Sequence, residues 1–585
     1  MRRTRNVGPS FRIPQSTFRN LAVVGMLPLV VLAAGCARLF GPGALPPAET
    51  TTQMVAMRDH VRLATDVYLP KTGGPFPAIL IRTPYGKGNE QNIVARLLVA
   101  AGYAVAIQDV RGRYDSEGEW APFIHEGPDG ADTVDWARGQ RWCDGKIGLF
   151  GMSYFGFTQW QAATAAGAHV TTFTPSVTTS RIYDVLYRGG AFHLLLGAGW
   201  GLANPGRRSG AEFGFNPAHW TTPLLDLDRS QGKPAPFWAD WIRHHSFDDY
   251  WRPASSEGRW ENIAAPALLV GGWYDIFGAD TLADWRKITT QAGPRARRES
   301  KLVMGPWNHG FSRNMKGVDF GGAADFLPFA KNYVLWFNEF LKGERGPDLP
   351  RVRVFTTGID EWQDYNDWPP PAARAQRWNF HSGGHAERGG DGELLPAGPG
   401  REIADGFAHD ARNLVPTLGG AIFPPEFAGP ADVAAYSKRA DVLAYTSQEL
   451  GADLHLAGKI SAVVWVEADT PDIDVAVTLA DVAPNGVARL LVDGLTRARF
   501  RNGDNPEWLA PGQPAAVTVD LGGMSHVVKR GHRLRVYVAA SNFPHYAPNP
   551  CSREDAGAAR TLNSSQVRVL HDGEHPSYLA VDVHP

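Results

Sequence analysis

Hydrophobic and polar positions follow two textures along the chain. In the first half, short apolar runs alternate with segments of helical spacing. Residues 61–68 (VRLATDVY) alternate with a period near two and predict a strand, and 78–82 and 103–108 predict buried strands. Residues 91–101 and 130–139 predict helices, 147–150 a strand, and 154–166 a further helix. Residues 267–270 and 301–304 predict two more buried strands, with helical sequence around 282–288 between them. This alternation predicts a mostly parallel sheet covered on both faces. Residues of about 180–260 break it with many Trp, paired His244-His245 and no predicted strand, as expected of a helical cap over the strand ends. After about residue 345 the texture changes. Trp368 to Pro371 and the Gly-rich 383–400 stretch predict loops. Residues 460–467, 473–479, 516–521 and 533–539 then alternate between turn clusters, as in an all-β sandwich.

The N-terminus has another character. Arg2, Arg3, Arg5, Arg12 and Arg19 precede a 14-residue apolar run at 21–34. That run is shorter than the roughly 20 residues of a membrane-spanning helix and predicts a secretory signal. It ends in Ala33-Ala34-Gly35-Cys36, which resembles a bacterial lipobox, although Leu32 stands one position farther from the Cys than that pattern prefers. The expectation is export, with lipidation at Cys36 or simple secretion after cleavage nearby. Residues 37–52, rich in Pro, Ala, Thr and Gly, predict a tether.

Charge and cysteine content narrow the function. With 58 basic and 60 acidic residues the chain offers no basic field for nucleic acid or anionic lipid, so membrane contact is expected only through the anchor. Three cysteines make no disulfide framework and no zinc ligand set. Cys143 and Cys551 remain after processing, and pairing between them is open.

Three segments carry candidate chemistry. Gly148-Leu-Phe-Gly-Met-Ser153-Tyr-Phe-Gly156 lies between a predicted strand and helix, where a serine stands on a sharp turn above the sheet edge. Phe155 occupies the place of the second Gly in G-x-S-x-G, and Gly156 follows. Asp275 comes just after the 267–270 strand and is suited to orient a histidine; capping of the next helix is the alternative, and Asp280 is a rival. His309 follows the 301–304 strand and is the candidate general base. The order Ser, Asp, His is that of α/β-hydrolases. An oxyanion hole requires donors: the Tyr154 N–H supplies one, and the hydroxyl of Tyr85, in a loop after an early strand, is a candidate second. Phe277 and Trp307 are candidate pocket walls, with core packing as the alternative for each.

Together, Arg82-Thr-Pro-Tyr85, Asp109 to Gly118 (DVRGRYDSEG), Gly151-Met-Ser153-Tyr-Phe-Gly156, Gly272-Trp-Tyr-Asp275 and Gly305-Pro-Trp-Asn-His309 closely resemble the cocaine esterase-like (CocE/NonD) hydrolases, related to X-Pro dipeptidyl-peptidases and α-amino acid ester hydrolases. The resemblance spans about 52–585 and makes the G-x-S-Y-x-G form the family's own. It implies an α/β-hydrolase core at 53–178 and 262–345, a helical cap inserted at 179–261 and a C-terminal jelly-roll at 346–585, after a signal segment at 1–36 and a tether at 37–52. It implies Ser153 as nucleophile, His309 as base, Asp275 as orienter, and Tyr85 and Tyr154 as oxyanion donors. It implies no metal and no cofactor. Arg111, Gly112, Asp115 and Gly118 match a family motif read as structural, with an Arg–Asp pair stiffening the loop. Phe155 stands where amino-ester hydrolases of the family often carry an acid. The expected activity is therefore cleavage of a small-molecule ester with a small or aromatic acyl group. An X-Pro dipeptidyl-peptidase, or an amide acylase or α-amino acid ester hydrolase, is the alternative. A catalytically inert surface-binding lipoprotein is a remote one. Homo-oligomerisation is open.

Overall fold

The alternation within single strands fixes the layers of the first half. In β3 (Phe76–Thr83), Ala78 and Leu80 join one apolar cluster and Ile79 and Ile81 another, so both faces of the strand are covered. Val94, Leu97 and Leu98 of the helix Glu90–Ala100 share the cluster of Ile79 and Ile81. Val134 of the helix Glu126–Arg138 and Trp160 of the helix Tyr154–Ala166 share that of Ala78 and Leu80. The computed structural model describes residues 48–88, 90–210 and 214–585. The predicted signal, Cys36 and most of the tether lie outside the described residues.

β3 belongs to a ten-stranded sheet. In chain order its strands are β1 (Glu49–Ala56), β2 (Arg62–Leu69), β3, β4 (Ala104–Asp109), β5 (Cys143–Met152), β6 (Thr172–Ser176), β9 (Leu268–Tyr274), β10 (Lys301–Asn308), β13 (Val352–Thr356) and β14 (Glu361–Tyr365). Two small hairpins lie outside it, β7 (Tyr187–Arg188) with β8 (Ala191–Phe192), and β11 (Asn314–Met315) with β12 (Val318–Asp319). The spatial order is β1-β2-β4-β3-β5-β6-β9-β10-β13-β14. From β4 to β13 every neighbouring pair is parallel, so the C-terminal ends of β3, β5, β9 and β10 open on one edge.

Three boundaries differ from the sequence reading. The tether was expected through residue 52, but Glu49 already pairs with Leu69 in the antiparallel edge strand β1. The cap was read without strands, but the β7–β8 hairpin turns within it on Gly189 and Gly190, both with positive φ. The β-domain is expected from 346, but β13 pairs with β10 and β14 with β13, extending the first sheet, so the chain changes sheet only between Tyr365 and Arg374.

The second sheet is β-rich and eleven-stranded. Its longest strand, Leu454–Ala468, pairs antiparallel with Ala515–Val528, Ser565–Leu570 and Tyr578–His584. The insertion between β6 and β9 carries the helices Tyr183–Leu186, Leu194–Ala203, Leu227–Ser230 and Trp238–Arg243. Its aromatic core, with Trp238, Trp241 and Trp251, runs into Tyr154, Phe277 and Phe423. Among the described residues no helix is long and apolar enough to cross a membrane.

Candidate active site

Because β3, β5, β9 and β10 end together, the residues just beyond them meet. Ser153 follows β5 and precedes the helix Tyr154–Ala166, with φ 56° and ψ −127°. A non-glycine residue reaches such φ only where its surroundings enforce it. Two glycines permit the turn. A Cβ on Gly151, at φ +137°, would stand 2.4 Å from Phe155 Cβ, and one on Gly156 would stand 2.7 Å from Thr178 Cγ2. Thr178 Oγ1 in turn donates to the Ser153 carbonyl at 2.8 Å. Phe155 is therefore a wedge beside the turn, buried and packed on Tyr85 with ring centroids 5.6 Å apart.

Asp275 directly follows β9 and His309 directly follows β10. His309 Nε2 lies 3.0 Å from Ser153 Oγ, and His309 Nδ1 lies 2.7 Å from Asp275 Oδ1. Asp275 is fully buried and His309 is 5% exposed. The carboxylate fixes Nδ1 as the protonated nitrogen, leaving Nε2 to accept from the serine hydroxyl. The rival Asp280 points elsewhere, accepting from Arg188 Nη2 at 2.6 Å.

Tyr85, past the end of β3, lines the same cleft as Ser153. The indole N–H of Trp200 donates to its Oη at 2.9 Å. Burial pushes the Tyr85 hydroxyl up to about 12, so its proton is retained. Tyr154 opens the helix after Ser153, where first-turn N–H groups have no intrahelical acceptor. Its ring is tied down: Tyr154 Oη donates to Glu126 Oε1 at 2.8 Å and accepts from the Phe123 N–H at 2.9 Å. Glu126 also accepts from Arg82 Nη1 at 2.7 Å, and burial raises its carboxyl above the usual range despite that cation.

These groups open on a cleft of about 580 Å³. Its walls are Phe123, Phe157, Trp200, Phe277 and Phe423, together with Ile182, Leu186, Leu196 and Ile276. None of the lining residues is a carboxylate or a cation. The catalytic domain, the insertion and the β-rich domain all contribute, the last through Phe423, whose ring lies 5.8 Å from that of His309.

A family model described as X-Pro dipeptidyl-peptidase (S15 family) matches residues 59–311, and one described as the X-Pro dipeptidyl-peptidase C-terminal non-catalytic domain matches 346–580. A cocaine esterase of Rhodococcus sp. (strain MB1 Bresler) is 34% identical over 91% of this chain and 97% of its own. The chain belongs to the CocE/NonD hydrolases. Within that family it is an enzyme, a serine hydrolase of the ester- and amide-cleaving superfamily that includes the X-Pro dipeptidyl-peptidases. The fold is shared with an α-amino acid ester hydrolase (TM-score 0.79, 23% identity, 93% of this chain and 98% of that one). It is shared equally with an aminopeptidase of a marine-sediment Thaumarchaeota archaeon (TM-score 0.77, 22% identity, 93% and 98%).

Two expectations need correction in this CocE/NonD hydrolase. Trp307 does not line the cleft. It is fully buried among Phe311, Phe326 and Trp362 and donates its indole N–H to the Ala324 carbonyl at 2.7 Å. A register shift between Gly305 and Asn308 separates its surroundings from those of His309. The Arg–Asp pair of the 109–118 motif is also not internal: Arg111 binds Asp59 and Asp129, while Asp115 accepts from Lys87 Nζ at 2.6 Å. Cys143 and Cys551 are buried free thiols.

Sequence reasoning missed Trp200, Phe123, Glu126 and Phe423. None sits in a strand-end motif: Phe123 and Glu126 come from the segment between β4 and β5 and hold the Tyr154 hydroxyl, while packing of the insertion brings in Trp200 and packing of the β-rich domain brings in Phe423.

Proposed function

We propose that this CocE/NonD hydrolase cleaves carboxylic esters by acyl transfer through Ser153. The observation that carries this reading is the hydrogen-bonded row Ser153 Oγ–His309 Nε2–His309 Nδ1–Asp275 Oδ1 at the mouth of an apolar cleft. In this mechanism Ser153 Oγ attacks the ester carbonyl as His309 Nε2 takes its proton. The oxyanion accepts from the Tyr85 hydroxyl and the Tyr154 N–H. The intermediate collapses to a Ser153 ester, and His309 delivers the proton to the departing alkoxide oxygen. His309 then takes a proton from water, whose oxygen attacks the acyl carbon. Collapse releases the acid and returns the proton to Ser153 Oγ.

The acyl pocket is read as uncharged, with Phe277 as one wall, 5.4 Å from the His309 ring. An ammonium-bearing substrate requires pocket carboxylates, and the cleft lining has none. This favours plain esters over α-amino acid esters and X-Pro peptides. The second reading, a dipeptidyl-peptidase or amide acylase, draws on the names of the two matched family models. A panel of aryl and alkyl esters, α-amino acid esters, Xaa-Pro amides and glutaryl amides, compared by kcat/KM, decides between them. Preference for the plain esters is expected; preference for amino-terminal or glutaryl amides would replace the ester reading.

The C-terminal domain is read as a jelly-roll sandwich, which the long shared strand Leu454–Ala468 supports. The protein is read as exported, with Cys36 as a lipid anchor, on the strength of the basic segment and apolar run before it.

A further inference from the structure

A second cavity, of about 600 Å³, reaches Asp275 without touching Ser153 or His309. Arg188 and His193 of the insertion, Asp275 of the catalytic domain, and Asp493, Asp520 and His545 of the β-rich domain line it. Arg188, Asp520 and Gly522 also line a wider groove between the three parts, so the cavity continues toward solvent.

Three side-chain atoms of residues lining this cavity are buried without a hydrogen-bond partner among the described residues, Asp275 Oδ2, His193 Nε2 and His545 Nδ1. Asp275 is 0% exposed and His193 3%. His193 Nδ1 lies 3.2 Å from the Val185 carbonyl, which only accepts, so Nδ1 carries the proton. Burial, His545 and Arg188 hold the ring well below the ordinary histidine range, and it is neutral. Its Nε2 is therefore an acceptor, as is the carboxylate oxygen. Two acceptors cannot bond each other, and each requires a donor. Of the neighbouring groups, Arg188 Nη2 is engaged by Asp280 at 2.6 Å, whereas His545 Nδ1, 3.5 Å from Asp493 Oδ2, makes no hydrogen bond and is a further group that water in the cavity would satisfy. Backbone pairing fixes the histidine in place, since Leu194 N donates to the His545 carbonyl and Ala547 N to that of Phe192. A water molecule offers two O–H donors, and the cavity is polar-lined with room for at least one.

We propose that ordered water in this cavity donates hydrogen bonds to Asp275 Oδ2 and His193 Nε2, making His193 a positioning residue for the carboxylate that orients His309. The proposal rests on the triad reading above. Held at Oδ2, the carboxylate cannot rotate away from His309 Nδ1, and the seating of the insertion is thereby linked to the base.

The test uses His193→Leu and His193→Gln in the full chain, with kcat, KM and the pH profile of kcat/KM on an aryl ester, plus a high-resolution crystal structure of the unaltered protein. In His193→Leu, kcat is expected to fall about tenfold with KM unchanged. The acid limb of the profile is expected to move to higher pH, because the carboxylate no longer shares its charge with a donor. His193→Gln keeps an acceptor and is expected to recover most of the loss. The crystal structure is expected to show water within hydrogen-bond distance of both atoms, a readout that does not depend on a variant folding. A His193→Leu enzyme with unaltered kcat and profile, equal losses in both variants, or direct contact of Arg188 with Asp275 Oδ2 would overturn the proposal. Activity in Ser153→Ala would instead overturn the triad reading.

Discussion

Trp200, from the helical insertion, donates its indole N–H to the hydroxyl oxygen of Tyr85 at 2.9 Å. With that lone pair engaged, the Tyr85 hydroxyl is oriented by a residue of a different part of the fold, and its own proton is left for an oxyanion. Tyr85→Phe is expected to lower kcat by about 10²–10³-fold on aryl esters. Trp200→Phe keeps a ring in the wall but loses the N–H, and about a tenfold loss is expected. In the Tyr85→Phe background the Trp200 change should cost little more, because the two act through one hydroxyl. Steady-state kinetics of the double-mutant cycle checks this; additive losses would separate Trp200 from the oxyanion donor.

The turn at Ser153 depends on Gly156. A methyl there would meet Thr178, which holds the Ser153 carbonyl. Gly156→Ala is therefore expected to destabilise the protein by about 1–3 kcal/mol. It should also lower kcat, because the displaced Thr178 releases the turn. Thermal unfolding and kinetics of the same preparation test the pair of effects, and a variant of normal Tm and normal kcat contradicts them.

Asp472 is a buried carboxyl raised by burial to about 6, against the pull of Arg497 and Arg499. In the unfolded chain it titrates near 4. Between these values the folded state holds a proton that the unfolded state releases. The group's stabilising contribution is thus full below about pH 4 and is lost as the pH rises through about 6. Asp472→Asn removes this dependence. The difference in Tm, variant minus unaltered protein, should rise from pH 4 to pH 7 in thermal scans, and a flat difference would contradict the assignment.

For the proposed anchor, Cys36→Ser is expected to move the protein from the membrane fraction to the soluble fraction of its host. Fractionation with immunodetection reads the outcome. Retention in the membrane would reject lipidation at Cys36.

The strands of the catalytic sheet were legible because burial on both faces writes continuous apolar runs such as residues 78–82 and 103–108. Ser153, Asp275 and His309 each stand at the end of such a run, and parallel strands bring those ends to one edge. Trp307 misled for a local reason. It lies two positions before His309, which in a regular strand shares a face, but the register shift between Gly305 and Asn308 breaks the alternation. Trp200 and Phe423 could not be read from local pattern at all. One belongs to a helix apolar on nearly every side and the other to a loop in the other sheet's domain. Their approach to Ser153 is a product of packing between parts far apart in the chain. β13 and β14 fall in the segment read as β-domain because the change of texture is placed near residue 345, yet they complete the first sheet.

The central claim is that Ser153 carries the acyl group. Rapid quenching of the enzyme during turnover of an aryl ester, followed by intact-mass and peptide mass spectrometry, tests it directly. The account predicts a mass increase equal to the acyl group, located on the peptide containing Ser153, abolished in Ser153→Ala and strongly slowed in His309→Ala. Turnover at full rate in Ser153→Ala, or an adduct on another residue, would contradict it.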